Sequence, residues 1–438
     1  MSRAMKKSGV PWIGDLPNEW QISKLKRCVA IRKRIAGETG RTVLSITQKG
    51  IVPKDLTSNE GQIAADYSNY QIVHPGDFAM NHMDLLTGWV DISRFEGVTS
   101  PDYRVFELVD KSRWSQRYLL HLLQTCYRSH IFYGLGQGVS GFGRWRLPAD
   151  MFLHFDIPCP EISEQQRIAD FLDIQTQEVD AAIVKTRESI EEYKKLKQAI
   201  ITHAVTKGIR PNRAVKDSGV EQIRAMPEQW EVFRLKNAFS AHKSGAWGND
   251  KNPHETGVVC YRIADFAYDK LRFNDETSRT IRYYQSREIE KLRLTKGDIL
   301  IEKSGGGEKT PVGRAVLYDK DDGIALYANF MEKLTVADKV NPDWAVYYLS
   351  FLYSSKRVIP HIKQTTGLQN LDLRSFLSEE KMLLPPDCEQ EEIVHYLDNK
   401  CGAIDALIEK KQQIITELES YKKSLIYEYV TGKKEVPA

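Results

Sequence analysis

The chain has 438 residues, of which 41% are apolar, with 62 Lys and Arg against 59 Asp and Glu, which is typical of a globular protein with more than one domain. No apolar run approaches the roughly 18 residues of a membrane-spanning helix, and the N-terminal residues lead into no apolar signal segment. The six cysteines are scattered without a CxxC pair, which argues against a zinc site or a disulfide framework. We therefore expect a soluble, cytoplasmic protein without a metal site.

Residues 1–158 predict a first domain that mixes short strands with helices. Pro17 and Trp20 lie in a turn that leads into an extended segment containing Lys24. Strand-like runs follow at 42–47, 69–73, 76–81 and 103–109, broken by Gly, Pro and Asp. A helix is predicted at 114–127 and a glycine-rich loop at 134–146.

Residues 159–207 predict a long helix. Apolar residues recur at alternating steps of four and three from Ile168 to Ala204, which is the period of a coiled coil. At about 1.5 Å per residue, such a helix is on the order of 60 Å long. Because one helix cannot bury a seam of this kind, we expect a helical partner.

The same order of elements then returns. Residues 208–385 predict a second domain, in which Pro227 and Trp230 stand 210 residues after Pro17 and Trp20. Its strands are predicted at 258–263, 298–303, 315–318 and 324–327, its helix at 344–353, and a polar loop at 361–370 takes the place of the glycine-rich loop. Residues 386–438 repeat the long helix at an offset of 225 without a gap.

Connectivity predicts how these parts are arranged. The second domain joins the C-terminal end of the first long helix to the N-terminal end of the second, so the helices should run antiparallel, as in a long αα-hairpin. Residues 430–438 should then lie near residues 1–20. The predicted fold class is α+β, with two mixed α/β domains at opposite ends of a long antiparallel two-helix coiled coil and a pseudo-twofold internal repeat. Two similar domains at a fixed spacing suit a bipartite DNA site.

The charge is divided between these parts. The helical segments 161–207 and 386–438 carry a net charge of −6, and the remainder carries +9. Basic domains on an acidic frame suit a polyanion that is held by the domains alone. Ordinary surface charge explains so modest an excess equally well.

Motifs for catalysis are incomplete. Residues 304–310 contain three glycines and a lysine but lack the G-x-x-x-x-G-K-[ST] spacing of a phosphate-binding loop. Glu302 and Lys303 follow Asp298, yet no residue separates them as in E-x-K nuclease sites, and no Asn/Asp-Pro-Pro-Tyr motif of adenine methyltransferases occurs. We therefore expect no catalytic residues. The alternatives are a nuclease or methyltransferase in its own right, or a structural coiled-coil DNA-binding adaptor.

Over its whole length the chain resembles the specificity (S) subunits of type I restriction-modification systems. The motifs that carry this resemblance occur twice each. They are Pro-x-x-Trp followed by a basic residue (Pro17, Trp20, Lys24; Pro227, Trp230, Arg234), Glu-Gln-x-x-Ile after a Pro-rich step (Glu164, Gln165, Ile168; Glu389, Gln390, Ile393), and Leu-Asp before Val/Ile-Asp (Leu172, Asp173, Val179, Asp180; Leu397, Asp398, Ile404, Asp405). The chain departs from the usual pattern of the family in the segment 160–163, where the family more often has Pro-Leu-Pro-Pro.

The resemblance implies a non-catalytic subunit. Each domain would be a target recognition domain that reads one half of a split DNA sequence. The paired helices would set the gap and bind two methyltransferase (modification) subunits, and motor-nuclease (restriction) subunits would join that core in phage defence. S-adenosylmethionine, ATP and Mg²⁺ would belong to those partners and not to this chain.

Candidate contact residues are chosen by residue type. Arg, Lys, Asn and Gln can reach base edges, and basic, hydroxyl and amide groups bind phosphates. The DNA-binding candidates, which we expect on glycine-rich loops, are Asn81, Arg104, Arg128, Gln137, Arg144 and Arg146 in the first domain and Lys303, Ser304, Lys309, Lys356, Lys363, Gln364, Gln369 and Asn370 in the second. The methyltransferase-docking candidates are the repeated charges Asp173, Asp180, Lys185, Asp398, Asp405 and Lys410. For each DNA-binding candidate, a solvated surface role is the alternative.

Overall fold

The computed structural model describes residues 3–56, 66–138, 145–274, 279–321, 323–365 and 367–437. In the first half the elements are β1 Met5–Lys7, β2 Asp15–Pro17, β3 Gln21–Lys24, β4 Val29–Arg32, β5 Leu44–Thr47, β6 Gly50–Pro53, β7 Gln71–Val73, β8 Phe78–Met80, β9 Val90–Ile92, β10 Gly97–Thr99, β11 Arg104–Leu108, α1 Gln116–Arg128, α2 Ala149–Leu153, β12 Asp156–Cys159 and α3 Ile162–Lys207. The helix α3 is the first long helix.

The second half repeats this order with more strands. Its elements are β13 Val215–Asp217, β14 Ala225–Pro227, β15 Glu231–Arg234, β16 Phe239–Ser244, β17 Thr256–Tyr261, β18 Phe266–Ala267, β19 Arg272–Phe273, β20 Ile281–Tyr284, α4 Ser286–Leu292, β21 Ile299–Glu302, β22 Ser304–Gly305, β23 Ala315–Leu317, β24 Ala325–Tyr327, β25 Met331–Val336, α5 Pro342–Ser354, β26 Ile362–Thr365, β27 Leu368–Leu371, α6 Leu373–Glu379, β28 Lys381–Leu384 and α7 Asp387–Val430. The helix α7 is the second long helix.

Each domain contains a four-stranded antiparallel sheet with the same strand order. The sheet of the first domain runs β4-β11-β8-β9, and that of the second runs β16-β25-β21-β23. A Gly-Asp turn precedes the third strand of each sheet. Asp77 and Asp298 each accept a hydrogen bond from the backbone N–H three residues earlier, at 2.9 and 2.8 Å. The duplication seen in the sequence is therefore present in the fold.

Apolar packing explains why the two domains have the same order of strands and helix. Trp20, Trp114 and Tyr118 are fully buried in the core of the first domain, and the Tyr118 hydroxyl donates to the backbone O of Val430 at 2.8 Å. Trp230 and Trp344 are their counterparts in the second domain, with ring centroids 5.6 Å apart at nearly a right angle. Burying aromatic rings of this size contributes strongly to a core.

The chain forms two compact units, and each unit takes a part of both long helices. One unit comprises residues 1–186 and 413–438, and the other comprises residues 187–412. In the first unit, Phe171 packs on Tyr429 with ring centroids 4.6 Å apart, and Asp180 pairs with Lys422. In the second, the Lys411 ammonium lies 5.6 Å from the ring centroid of Tyr193, and Lys197 pairs with Asp405. The partner number falls as the residue number rises, so the helices are antiparallel within each unit, as predicted.

The expected approach of the chain ends is confirmed within the first unit. The hydroxyl of Tyr427 donates to the backbone O of Trp12 at 3.0 Å, and the Lys433 ammonium donates to the backbone O of Asp15 at 3.1 Å. The seam of the long helices is also largely as predicted. Of its sixteen apolar positions, Tyr193, Ile200, Ile408 and Leu418 are half-buried and the others are buried.

One sequence prediction about the second domain is wrong. Residues 361–370 are not a loop but most of a hairpin, in which β26 and β27 pair from Ile362–Leu371 to Thr365–Leu368. The strand β22 adds to the same sheet through Ser304 and Asn370. Polar residues dominate this hairpin because one side of it faces solvent, and the alternation that marks a half-buried strand is short here. Gly367 has a φ of +87°, as a tight turn requires.

Candidate DNA-binding and docking surfaces

The Glu-Gln motif that starts each long helix binds the start of its own domain. Glu164 accepts hydrogen bonds from the Arg3 guanidinium at 2.7 and 3.1 Å and from Trp20 Nε1 at 2.8 Å. In the second unit, Glu389 accepts from the Arg213 guanidinium, with one contact at 3.1 Å. Burial acts to raise the pKa of Glu389, but Arg213 holds this pKa below its ordinary value. The motif thus fastens the helix to the N-terminal segment of its domain.

The glutamine of the motif holds the loop before the domain helix. The Gln165 side chain donates to the backbone O of Pro160 and Arg113, at 2.9 and 3.1 Å, and accepts from Ser115 N at 2.9 Å. Gln390 makes the same three kinds of bond, accepting from Asn341 N at 2.8 Å. The motif is recognisable in the sequence, but its role in holding this loop is evident only from the fold. The pattern that could have indicated the role is its position directly after the last strand of each domain.

Four of the six docking candidates pair with residues of their own unit. His121 Nε2 lies 2.7 Å from Asp173 Oδ1, and Arg117 donates to the same carboxylate at 2.7 Å. His121 and then Arg117 hold the pKa of Asp173 below its usual value. In the second unit, the Tyr347 hydroxyl donates to Asp398 at 2.7 Å. The interhelical ion pairs described above take up Asp180 and Asp405.

The remaining docking candidates, Lys185 and Lys410, are exposed. Asp173 and Asp398 each border a cleft between a domain and its long helix. The cleft at Asp173 has a volume of about 640 Å³ and includes the half-exposed apolar side chains Val52 and Phe95. The cleft at Asp398 has a volume of about 170 Å³. A cleft thus borders Asp173 and another borders its repeat counterpart Asp398, and the role of the docking candidates stays a prediction.

Three DNA-binding candidates of the first domain lie close together. Arg104 starts β11 and donates to the backbone O of Leu147 at 2.9 Å, directly after Arg146. Arg146 and Gln137 form an antiparallel bridge with backbone hydrogen bonds of 3.1 and 2.9 Å. Arg146 and Gln137 are exposed, whereas Arg104 is buried. Arg104 therefore lies on a strand and not on a loop, and it cannot reach a base edge from this position.

The other first-domain candidates are separate from this group or undescribed. The Asn81 side chain accepts from Met83 N at 3.2 Å, at the edge of a cleft of about 420 Å³ that Tyr70 and Tyr103 also line. Arg128 ends α1 and stacks on Trp89, 4.8 Å from the ring centroid. Arg144 lies outside the described residues.

Most second-domain candidates gather on one small sheet, β22-β27-β26. Ser304 faces Asn370, and its hydroxyl donates to the Asn370 amide oxygen at 2.6 Å. Lys363 and Gln364 lie on β26, opposite Asn370 and Gln369. The expectation that this group lies on a glycine-rich loop is therefore wrong for these five residues, because the hairpin pairs with β22.

The remaining second-domain candidates surround that sheet. Lys309 is exposed on the loop before Val312, whose N–H donates to the buried Gln369 side chain at 3.3 Å. Lys356 is exposed just after α5, and Lys303 contacts Ser244. Lys363 also pairs with Asp372 at 2.7 Å. The sheet with its flanking loop forms a polar surface with several cations, which we call the second-domain surface.

Asp298 and Glu302 are the carboxylates for which a nuclease site was considered. Both are engaged in hydrogen bonds and ion pairs inside the protein. Glu302 is 1% exposed, pairs with Arg314 at 2.7 Å and accepts from the Tyr268 hydroxyl. Asp298 accepts from Thr295 and Thr335 and pairs with Lys333. Within the described residues, no group of His, Cys, Asp and Glu could hold a metal ion. Among the helices of the same described residues, none combines the length and the apolar composition that a membrane span needs.

Comparison with known proteins gives one consistent family. The family model described as the type I restriction modification DNA specificity domain matches residues 17–192 and again residues 227–420. The specificity subunit of the type I restriction enzyme MjaVIII of Methanocaldococcus jannaschii is 27% identical over 68% of this chain and 66% of its own length. A protein of the same archaeon, provisionally named the MjaX specificity subunit, is 23% identical over 97% of this chain and 96% of its own length.

Solved structures share the fold. A chain in a structure of a type I R-M system has a TM-score of 0.70 at 17% identity, covering 96% of this chain and 99% of its own. The HsdS subunit of Thermoanaerobacter tengcongensis has a TM-score of 0.50 at 17% identity, with coverage of 96% and 98%. Both likenesses extend over both halves of the chain.

Proposed function

This chain belongs to the family of the type I restriction modification DNA specificity domain, which it carries twice, and we propose that each copy reads one half of a bipartite DNA target. The observation that supports this proposal most is that a domain followed by a long helix occurs twice in the chain. Each domain is fastened to a long helix by the same Glu-Gln contacts, while the candidate surfaces differ, with Arg146 and Gln137 in one domain and the second-domain surface in the other. A constant frame with two different surfaces suits two different half-sites.

The subunit acts without chemistry of its own in this proposal. The carboxylates nearest to a nuclease pattern, Asp298 and Glu302, are occupied by internal hydrogen bonds and ion pairs. S-adenosylmethionine, ATP and Mg²⁺ are used by partner subunits, which carry the methyltransferase and motor-nuclease activities. Incubating the purified chain with DNA and labelled S-adenosylmethionine, and then with ATP and Mg²⁺, should produce neither methylation nor cleavage.

Two methyltransferase subunits bind one chain in this proposal, since the exposed charges and the clefts at Asp173 and Asp398 occur twice. Lys185 and Lys410 suit a test because both are exposed and repeat-related. By native mass spectrometry, Lys185→Glu and Lys410→Glu should each retain one methyltransferase subunit, and the double variant should retain none. Lys236→Glu, an exposed lysine of the second domain, is the matched control. A one-to-one complex of the unchanged chain with excess partner would contradict this stoichiometry.

The decisive experiment is methylome sequencing of a host that carries this chain with its partner subunits. We expect methylation at a single split motif with a gap of constant length. Replacing residues 1–158 with the counterpart of a relative should change one half of that motif and leave the other half and the gap as they were. A change in both halves would contradict the assignment of one domain to each half-site.

A further inference from the structure

Arg104 is a buried arginine with no carboxylate partner among the described residues. Its side chain lies over the Phe152 ring, with the guanidinium carbon 4.8 Å from the centroid, and it is 4% exposed. One guanidinium nitrogen donates to Leu147 O, but Nη1 has no hydrogen-bond partner in the described part of the chain. Burial lowers the pKa of Arg104 to about 10, so it remains charged at neutral pH. A buried charge without an anionic partner is costly for folding, and an anion bound nearby would offset part of this cost.

The surroundings of Arg104 add positive charge. The His82 backbone O accepts from Leu147 N at 2.9 Å, which places His82 beside the Leu147 backbone that Arg104 also binds. Burial, followed by the charges of Arg104 and Arg146, lowers the pKa of His82 to about 4. Its imidazole is therefore neutral at pH 7, and its buried Nδ1 has no partner among the described residues. The region around Leu147 therefore contains two cations, Arg104 and Arg146, and a histidine, His82, that stays neutral.

The exposed side of this site consists of Arg146 and Gln137. Their backbones exchange both hydrogen bonds, at 3.1 and 2.9 Å, so the residues lie directly opposite each other in an antiparallel pair. Side chains of such a pair project from the same face. A guanidinium and an amide, both donors to an anion, thus project together next to the backbone that Arg104 binds.

We infer that Arg146 and Gln137 bind a backbone phosphate of DNA. Arg104 is a positioning residue, and its buried positive charge attracts the same phosphate from inside the domain. The inference rests on the proposed function, since it takes the phosphate from the DNA target. A charge in a low-dielectric interior is weakly screened, and its field is strongest at the nearest surface. The phosphate supplies the anion that Arg104 lacks in the free chain. Phosphate contacts fix the register of the protein on DNA and carry no sequence information of their own.

The first test measures the thermal unfolding midpoint of the full chain with and without inorganic phosphate. Arg104→Met keeps an unbranched apolar side chain next to Phe152 but removes the guanidinium with its unpaired charge. Its midpoint should therefore rise by about 2–4 °C, and phosphate should stabilise the unchanged chain more than the variant. If Arg104 served only as a structural donor to Leu147, the variant would unfold at a lower temperature and show the same response to phosphate. That result would overturn the inference.

The second test measures DNA affinity over a series of KCl concentrations, with the full chain bound to its methyltransferase partners and a duplex that carries the bipartite motif. Arg146→Ala should weaken binding about tenfold and reduce the slope of log K against log salt by about 0.9. Arg104→Met should weaken binding several-fold, equally on target and non-target duplexes. The exposed Lys7 lies outside the site, and Lys7→Ala should leave affinity and slope unchanged.

The outcomes of the two tests separate this inference from the proposed function. Unchanged affinity and slope in both variants, with a complex that binds its target normally, would overturn the inference and leave the proposed function intact. Phosphate stabilisation that depends on Arg104, with unchanged DNA affinity, would show a site for free anions and would also overturn the assignment to DNA. If the unchanged complex bound no split target, the proposed function and the DNA assignment would both fail.

Discussion

Lys422 of the second long helix donates to both carboxylate oxygens of Asp180 in the first long helix, at 2.6 Å each, across 242 residues of sequence. The second unit contains the corresponding pair, in which Lys197 donates to Asp405 at 2.7 and 2.6 Å. Asp405 and Lys422 stand 225 residues after Asp180 and Lys197. A single pattern, Asp followed by Lys 17 residues later, therefore produces both pairs, because antiparallel pairing brings each Asp to the Lys of the other copy.

The two ion pairs should contribute unequally to stability. The side chains of Lys197 and Asp405 are 12% and 17% exposed, whereas Asp180 is 57% exposed. Surface pairs are worth about 0–1 kcal/mol, and a hydrogen bond to a charged group with less solvent about 1.5–3 kcal/mol. Asp405→Asn should therefore lower the free energy of unfolding more than Asp180→Asn. Urea unfolding of both variants, followed by circular dichroism, measures the difference, and equal losses would contradict the prediction.

The contact between Glu389 and Arg213 should make the free energy of unfolding depend on pH in the acidic range. The folded-state pKa of Glu389 lies below its ordinary value, so the contact stabilises the fold above the unfolded pKa of about 4.3. This contribution is lost as the pH falls through the lower, folded-state pKa. Glu389→Gln should thus destabilise the second unit at pH 7 by about 2–4 kcal/mol, because it leaves Arg213 unpaired.

The pH profile distinguishes this electrostatic contribution from a packing defect. The stability difference between Glu389→Gln and the unchanged chain should shrink as the pH is lowered below about 4.3. Differential scanning calorimetry at several pH values measures it. The matched control is Glu392→Gln, since the Glu392 pair with Arg210 is exposed, with 47% and 50% of the two side chains accessible. A difference that is independent of pH would show that Glu389 acts through packing alone.

On the second-domain surface, Lys309 should act as a phosphate contact. Lys309 is exposed on the loop beside β27, and the removal of one phosphate contact reduces the salt slope by about 0.9. Lys309→Ala should weaken binding by a similar factor on all sequences. Lys363→Ala should have a smaller effect, because Asp372 already neutralises Lys363. Titrations of the assembled complex at several salt concentrations test this order, with Lys236→Ala as control, and a larger loss for Lys363→Ala would contradict it.

If the long helices set the gap of the DNA target, deleting one heptad from each should shift it. Residues 184–190 and 409–415 are repeat-related, and their removal keeps the seam in register because seven residues are one repeat. The expected shortening is about 10 Å at about 1.5 Å per residue, or about three base pairs at 3.4 Å each. Three base pairs also turn DNA by roughly 100°, whereas one heptad turns a coiled coil by about 25°.

The deletion protein therefore cannot match distance and twist together without distorting DNA, at a cost on the order of 1–6 kcal/mol. We expect lost binding to the original target and weak recovery where the gap is shorter by about two to four base pairs. Because the deletion removes Lys185 and Lys410, affinity is measured on the chain without partner subunits, over a ladder of gap lengths and after circular dichroism has confirmed folding. An undiminished preference for the original gap would show that the helices do not set it.

The sequence predicted the parts of this fold that repeat or have a regular period. The offset of 225 and the 3.5-residue seam indicated two long helices, and connectivity indicated that they are antiparallel. Four strands of the central sheets, β8, β11, β21 and β23, and the domain helices α1 and α5 were placed to within a few residues, because their apolar runs are bounded by Gly, Pro and Asp. The other four strands of those sheets, β4, β9, β16 and β25, were not predicted. Local patterns of this kind are set by residues that are neighbours in sequence, so they can be read without coordinates.

Only the tertiary structure decided what the individual polar residues do. By residue type alone, Arg104, Gln369, Arg146 and Lys309 are equally good candidates for DNA contacts. The fold buries Arg104 and Gln369, whereas Arg146 and Lys309 are exposed. The hairpin at Ile362–Leu371 also pairs with β22, where Ser304 and Asn370 are 66 residues apart in the chain. The same holds for Asp180, whose partner Lys422 is 242 residues away. Contacts between distant segments depend on packing of the whole unit, and no local period in a single sequence records them.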